Sequence, residues 1–330
     1  MSAEHILIWG LRRDPPVAAV WDALNQIGCR VTFLDQHAVL DTEAELSVGC
    51  EVGGRLRVGC ETINLGEVSA VYFRPSDWRD LPVIAAAGRN SDAWWHALNL
   101  HDILHAWADL TPALVVNRPA AMTANGSKPY QACWIRSFGF QVPDTLITTD
   151  PTCALEFWRQ HQKVVYKSLS AIRSIVSRLT EEHMPRLADI AWCPTHFQEY
   201  VPGTDYRVHV VGDEVFACKI LSEADDYRYA AEPAVMEACD LPCEVAAQSK
   251  RLAVSMSLPV SGIDLRCTPQ GQWYCFEVNP SPGFTCFQDR TEQPIAEAIA
   301  RLLASAPARL NARATAGAAE ARRRKLLPLP

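Results

Sequence analysis

Near the C-terminal end, two runs rich in Val, Ile, Phe, Tyr and Trp flank Thr268-Pro269-Gln270-Gly271. Apolar, aromatic runs on either side of such a turn pair as antiparallel strands, and few other local folds accommodate them. The first run carries Gly262-Ile263-Asp264-Leu265; the second carries Phe276-Glu277-Val278-Asn279 and closes in Pro280-Ser281-Pro282-Gly283. Side chains alternate faces along a strand, so Glu277 and Asn279 project to one side. With Asp264 facing the same way from the neighbouring strand, three hard oxygen ligands converge, a set suited to Mg²⁺, with Mn²⁺ as the alternative ion. Any one of these carboxylates alone reads as a solvated strand residue. The order Asp…Glu-x-Asn, capped by Pro-Ser-Pro-Gly, is what points to a metal.

The 330 residues suffice for a large core and predict two or three domains. A hydrophobic content of 48% and a charged content of 21% are ordinary for a globular chain. The net charge of −7 argues against nucleic acid or an anionic membrane as the main partner. No segment approaches the ~20 apolar residues of a membrane span, and Met1 to His5 has no secretory pattern. Twelve cysteines occur with no Cys-x-x-Cys, so zinc and redox motifs are disfavoured and reduced thiols in the cytoplasm are expected. A homodimer is the default assembly.

The opening reads βαβ: a strand at His5–Trp9, a helix over Pro15–Ile27, a strand at Arg30–Leu34. Gly-x-Gly-x-x-Gly is absent, which removes support for a dinucleotide site. A hairpin with Gly53-Gly54 as its turn, a strand at Ala70–Phe73, a helix over Asp92–Leu110 and a strand at Val115–Asn117 complete an N-terminal α/β domain, residues 1–118. A central unit over 119–194 holds a helix from Lys128, strands at Thr145–Ile147 and Val164–Lys167, and a helix from Pro151. A third unit, 195–305, holds strands at Phe197–Val201, Arg207–Val211 and Glu214–Leu221. It continues with a helix over Cys243–Met256, the metal hairpin and a closing helix over Thr291–Leu303. Residues 306–330, ending Arg322-Arg323-Arg324-Lys325, read as a disordered basic tail.

A second dense signal is Phe197-Gln198-Glu199-Tyr200-Val201-Pro202-Gly203-Thr204-Asp205-Tyr206-Arg207. A strand enters a Pro-Gly turn and leaves in a strand that starts with alternating Asp205 and Arg207. Backbone at such a hinge can bond an adenine edge, a carboxylate can hold ribose hydroxyls, and a guanidinium can grip phosphate. Val164-Val165-Tyr166-Lys167 ends a buried strand in a cation that needs an anion, and Asn125-Gly126-Ser127-Lys128 opens a helix with another. His96, His101 and His105 fall near one helix face. The crowding of Trp94, Trp95 and Trp107 and the lack of His-Glu-x-x-His favour core packing over a metal site.

From Asn117 to Leu303 these motifs, in this order, resemble the ATP-grasp superfamily, with the first unit similar to its preceding Rossmann-like α/β domain. Val71-Tyr72-Phe73-Arg74-Pro75, Gly139-Phe140-Gln141-Val142-Pro143-Asp144-Thr145, Phe216-Ala217-Cys218-Lys219-Ile220 and Asp225-Asp226-Tyr227-Arg228 resemble RimK-like carboxylate–amine ligases, in particular the graspetide (microviridin-type) peptide ligase branch. The resemblance implies a mixed α/β fold that clamps ATP between the second and third units. It implies phosphate contacts from Lys128 and Lys167, adenine held by Gln198, Glu199, Tyr200 and Val201, and ribose held by Asp205. It implies Mg²⁺ on Asp264, Glu277 and Asn279, and catalytic charge from Arg207, Lys219 and Arg228. The activity implied is ATP-dependent ligation through an acyl phosphate, joining a peptide or amino-acid carboxylate to an amine or hydroxyl. A phosphotransferase and a non-catalytic ATP-binding module are the alternatives. One departure from the family pattern stands out: Ser168 to Ser177 contains no glycine to fold over the phosphates.

Overall fold

The structure, a computed structural model, describes residues 5–123, 127–168, 176–222 and 232–306. It divides into two compact units. One takes residues 1–120 and the chain from Pro294; the other takes Ala121–Gln293.

In the first unit, β1 (His5–Gly10) is buried at every position, as a parallel strand covered on both faces must be. Two prolines start α1 (Pro15–Gln26), where the missing N–H groups cost nothing. β2 (Arg30–Asp35) follows, then β3 (Thr42–Val48), β4 (Val52–Val58), β5 (Glu61–Asn64) and β6 (Val68–Arg74). α2 (Pro82–Ala87), α3 (Asp92–Leu110) and β7 (Leu114–Val116) complete the run. Ser91 caps α3, its hydroxyl accepting from the Trp94 N–H at 3.2 Å. A four-stranded parallel sheet has the order β2-β1-β6-β7, and β3-β4-β5 form a separate antiparallel sheet.

The expected turn at Gly53-Gly54 is corrected. Both glycines lie inside β4, opposite Ser47 and Leu46, and the chain reverses at residues 49–51. Gly54 is needed for close approach: at φ +152 its Cβ would stand 3.1 Å from the Glu45 carbonyl carbon. The His101 and His105 rings lie 3.8 Å apart, tilted at 40°, among Trp9, Phe73 and Trp78. Burial pushes His105 down to about 4 and lowers His101 as well, so both half-buried rings favour the neutral form. Arg74 pairs with Asp14 at 2.6 Å.

A short α4 (Pro119–Met122) leads on to α5 (Lys128–Ser137), β8 (Thr145–Thr148), α6 (Pro151–His161), β9 (Val164–Ser168), β10 (Ser177–Arg178) and β11 (Thr195–Glu199). These four strands form a sheet of order β10-β9-β11-β8. One face packs Val164, Tyr166, Phe197 and Leu146 on Ala154 of α6 and on Leu187 and Ile190 of a 3₁₀ segment. Alternation puts Thr145, Lys167, His196 and Gln198 on the opposite face.

A second sheet, antiparallel with order β14-β13-β12-β15-β16, is built from β12 (Thr204–Val211), β13 (Glu214–Leu221), β14 (Val235–Cys239), β15 (Val260–Cys267) and β16 (Trp273–Asn279). Val208, Val210, Ile263, Leu265 and Val278 pack on Ile135 of α5 and on Val245 and Leu252 of α7 (Cys243–Ser255). The other face carries Asp205, Arg207, Asp264, Glu277 and Asn279. At its end, Phe287 of α8 (Thr285–Thr291) meets Cys218 and Ile220. The closing helix α9 (Ile295–Ala304) then packs on α1 and β6 of the first unit, although chain order had placed it with the third domain.

Candidate active site

The hairpin reads as the alternation requires: Asp264 stands opposite Glu277 and Gly262 opposite Asn279, with a register shift after Asp264. Arg207 lies in register with Asp264 on the other side, and its Nη1 donates to Asp264 Oδ1 at 2.6 Å. The guanidinium is nearly buried and lies 5.6 Å from the Phe287 ring. Gly262 supplies its space, because a Cβ there would come within 2.7 Å of Arg207 Cζ and 2.8 Å of Pro282 Cβ. Asn279 is pinned by its own turn, Oδ1 accepting the Ser281 N–H at 2.9 Å.

β16 is an edge strand, and buried edge groups need partners. Gln131 of α5 provides both: its Nε2 donates to the Val278 carbonyl at 2.7 Å and its Oε1 accepts the Val278 N–H at 3.0 Å. The clamp grips the backbone between Glu277 and Asn279. One turn earlier on α5, Lys128 Nζ reaches Glu277 Oε2 at 3.4 Å. Two carboxylates and an amide oxygen, on neighbouring positions of one face, are a donor set that fits a hard divalent ion such as Mg²⁺.

On the first sheet Lys167 Nζ donates to Gln198 Oε1 at 3.4 Å, and Gln198 Nε2 donates to Thr145 Oγ1 at 3.3 Å. His196, in register with Lys167, is 3% exposed, and neither ring nitrogen finds a partner among the described residues. Burial, helped by the charges of Lys167 and Lys128, pushes it down to about 3, so the ring is neutral. Lys128 thus pairs with Glu277 of the second sheet while its charge is also felt by His196 of the first. His209, two residues past Arg207, is likewise held well below its ordinary value by burial, then by the Arg207 charge.

The remaining expected residues fall as follows. Asp205 shares the face of Arg207 but is gripped by Arg266, which sequence reasoning missed. Val201 is buried, and Tyr200 donates its N–H to the Lys163 carbonyl at 2.8 Å. Glu199 turns aside, its carboxylate accepting the Asp144 N–H at 3.0 Å and standing 3.7 Å from His161 Nδ1. Lys219 is not brought to the face of Arg207. It is in register with Tyr206 and Glu237 on the opposite face, because the residue paired with Arg207 is Cys218. Arg228, residues 169–175 of the glycine-free loop, Asn125, Gly126 and the basic tail lie outside the described residues. Gln131 and His196 also escaped the sequence reading, and Gly262 was read only as part of its strand; a buried Gln and a strand Gly carry no local signal of a polar site.

Two sheets, each buried on its own helices, with Lys167 on one, a carboxylate–amide set on the other and Lys128 reaching that set from α5, make an ATP-grasp fold. The family model described as the RimK-like ATP-grasp domain matches residues 159–303. Among solved structures it is similar to the macrocyclase MdnC of Microcystis aeruginosa, bound with precursor peptide MdnA. That match has TM-score 0.76 and 24% identity, over 91% of this chain and 99% of that one. A RiPP-associated ATP-grasp ligase of Chryseobacterium gregarium, in complex with ADP and a leader and core peptide, gives 0.75 and 20%, over 91% and 96%. The ATP-grasp ligase PsnB, complexed with precursor peptide PsnA2 and AMPPNP, gives 0.72 and 26%, over 90% and 96%. Among the described residues no helix is long and apolar enough to cross a membrane.

Proposed function

We propose that this protein is an ATP-dependent ligase that activates a peptide carboxylate as an acyl phosphate and joins it to an amine or hydroxyl, forming an amide or ester. The observation that carries the reading is the pairing of each acidic metal candidate with a cation on one sheet face, Glu277 with Lys128 and Asp264 with Arg207. Phosphoryl transfer asks for positioning and charge neutralisation above all. A site already holding alternating charge can exchange these internal pairs for a triphosphate and its cation with little reorganisation.

In this reading Lys167 and Lys128 hold phosphate oxygens, and Arg207 faces the group in transfer. Gln198 to Val201 line the adenine, and Asp205 takes ribose hydroxyls. Asp264, Glu277 and Asn279 would hold Mg²⁺, which would supply positive charge to offset that of the phosphate oxygens. The substrate carboxylate attacks the γ-phosphorus, ADP leaves, and the incoming amine or hydroxyl displaces inorganic phosphate. Support for a peptide substrate comes from the MdnC, PsnB and Chryseobacterium ligase complexes, each of which contains a precursor or its leader and core.

The test supplies Mg²⁺, ATP and panels of acidic peptides and amino acids, and follows ADP, phosphate and product mass. Ligation gives ADP and phosphate together with a product lighter by one water than its parts. A stable phosphorylated product would instead mean a phosphotransferase, and binding without turnover a nucleotide-gated module. Glu277→Gln lowers turnover roughly a hundredfold with the circular dichroism unchanged; full activity in that variant removes the metal assignment.

A further inference from the structure

Arg266 belongs to none of the motifs read from the sequence, yet it makes a dense set of contacts at one end of the site. Its Nε donates to Asp205 Oδ1 at 2.6 Å, its Nη2 to Asp205 Oδ2 at 2.9 Å, and its Nη1 to the Val201 carbonyl at 2.8 Å. Only 12% of its side chain is exposed. The ring of Phe276 lies 5.2 Å from the guanidinium carbon and that of Tyr200 at 5.9 Å. Between Val201 and Asp205 the chain turns through Gly203, whose Cβ would stand 2.8 Å from the Cys267 carbonyl carbon and 3.0 Å from Arg266 Cγ. The turn is therefore pressed against β15, and one cation ties its two ends together.

A carboxylate has about four acceptor positions, and the fork takes one on each oxygen of Asp205. Held at both oxygens, the carboxylate has one orientation. The same guanidinium fixes its spacing from Val201, the last residue of the segment assigned to adenine. An ammonium cannot reproduce this, since it offers a point charge without the planar fork.

We propose that Arg266 is a positioning residue for nucleotide recognition: it orients Asp205 against the Gln198–Val201 segment so that ribose hydroxyls meet an acceptor already in place, which makes the site select ribonucleotides over deoxy analogues. This rests on the nucleotide reading given above. Asp205 touches the ribose; Arg266 acts through it.

The experiment is calorimetric titration of the full chain with Mg²⁺ and ADP, 2′-deoxy-ADP or 3′-deoxy-ADP. The native chain is expected to bind ADP about tenfold to a hundredfold more tightly than the less favoured deoxy analogue, the range for a charged hydrogen bond. Asp205→Asn brings the affinities toward equality. Arg266→Gln and Arg266→Lys do the same, and the Asp205→Asn/Arg266→Gln double variant loses no further selectivity. In turnover, the Arg266 variants raise KM for ATP while kcat changes less. Should Arg266→Gln fail to fold, the affinity ratio in Arg266→Lys decides. A ratio equal to that of the native chain in a folded Arg266 variant, or a native chain with no preference among the three nucleotides, overturns the inference and leaves the nucleotide reading standing. A native chain that binds none of them overturns that reading itself.

Discussion

At the scale of single residues, the site depends as much on what is small or neutral as on what is charged. Gly262 is the clearest case, because the Arg207 guanidinium occupies the volume a side chain would need. Gly262→Ala is expected to push Arg207 off Asp264 and lower ATP turnover by about tenfold to a hundredfold, the worth of a charge-assisted bond; ADP release at saturating Mg²⁺ measures it. His196 shows the reverse economy, a polar ring kept neutral by burial. Its folded value of about 3 lies below the ordinary 6.5, so between those values the unfolded chain binds the proton and the folded chain does not. Stability is then complete above about pH 6.5 and falls as pH drops toward 3, at about 1.4 kcal/mol per pH unit for one proton. Urea titrations at pH 7 and pH 5 should show a smaller loss in His196→Leu than in the native chain; equal losses would remove His196 as a cause of acid sensitivity.

At the scale of elements, α5 and β16 operate as one piece. α5 inserts Gln131 at the strand edge and brings Lys128 to Glu277, so the helix sets both the height of the hairpin and the charge beside it. Gln131→Ala leaves two buried groups of Val278 unpartnered, a cost of about 1–3 kcal/mol for each. The expected outcome is a higher Mg²⁺ requirement for turnover with ATP affinity in the absence of metal little changed. A Mg²⁺ titration identical to that of the native chain would show that the clamp has no bearing on the ligands. Alternation explains why this partnership was invisible beforehand. Glu277 and Asn279 share a face by local rule, whereas the group that meets Val278 comes from a helix more than a hundred residues earlier. The same rule explains Lys219: its neighbours in sequence suggest a catalytic strand, and only the register with β12 shows which way it points.

At the scale of the whole molecule, the chain passes through the second unit and returns to the first in α9. Ile295, Ile299, Leu302 and Leu303 are each 5% exposed or less, and burying such side chains is worth about 1.5–3 kcal/mol apiece. Their sum rivals the entire stability of a small domain, about 5–15 kcal/mol. A chain ending at Gln293 should therefore lose hydrogen-exchange protection in β1 while β12 and β15 keep theirs; intact protection of β1 would show that the first unit stands without α9. From the amino-acid order alone came the elements with strong periodicity, α3 above all, together with the hairpin and the list of ionisable groups near it, because alternation and turn chemistry act within a few residues. Tertiary structure alone decided that α9 joins the first unit, that Gly53 and Gly54 sit in a strand, that Arg266 holds Asp205 and that Gln131 grips β16. Those outcomes depend on which distant surfaces meet, and neither periodicity nor spacing carries that information.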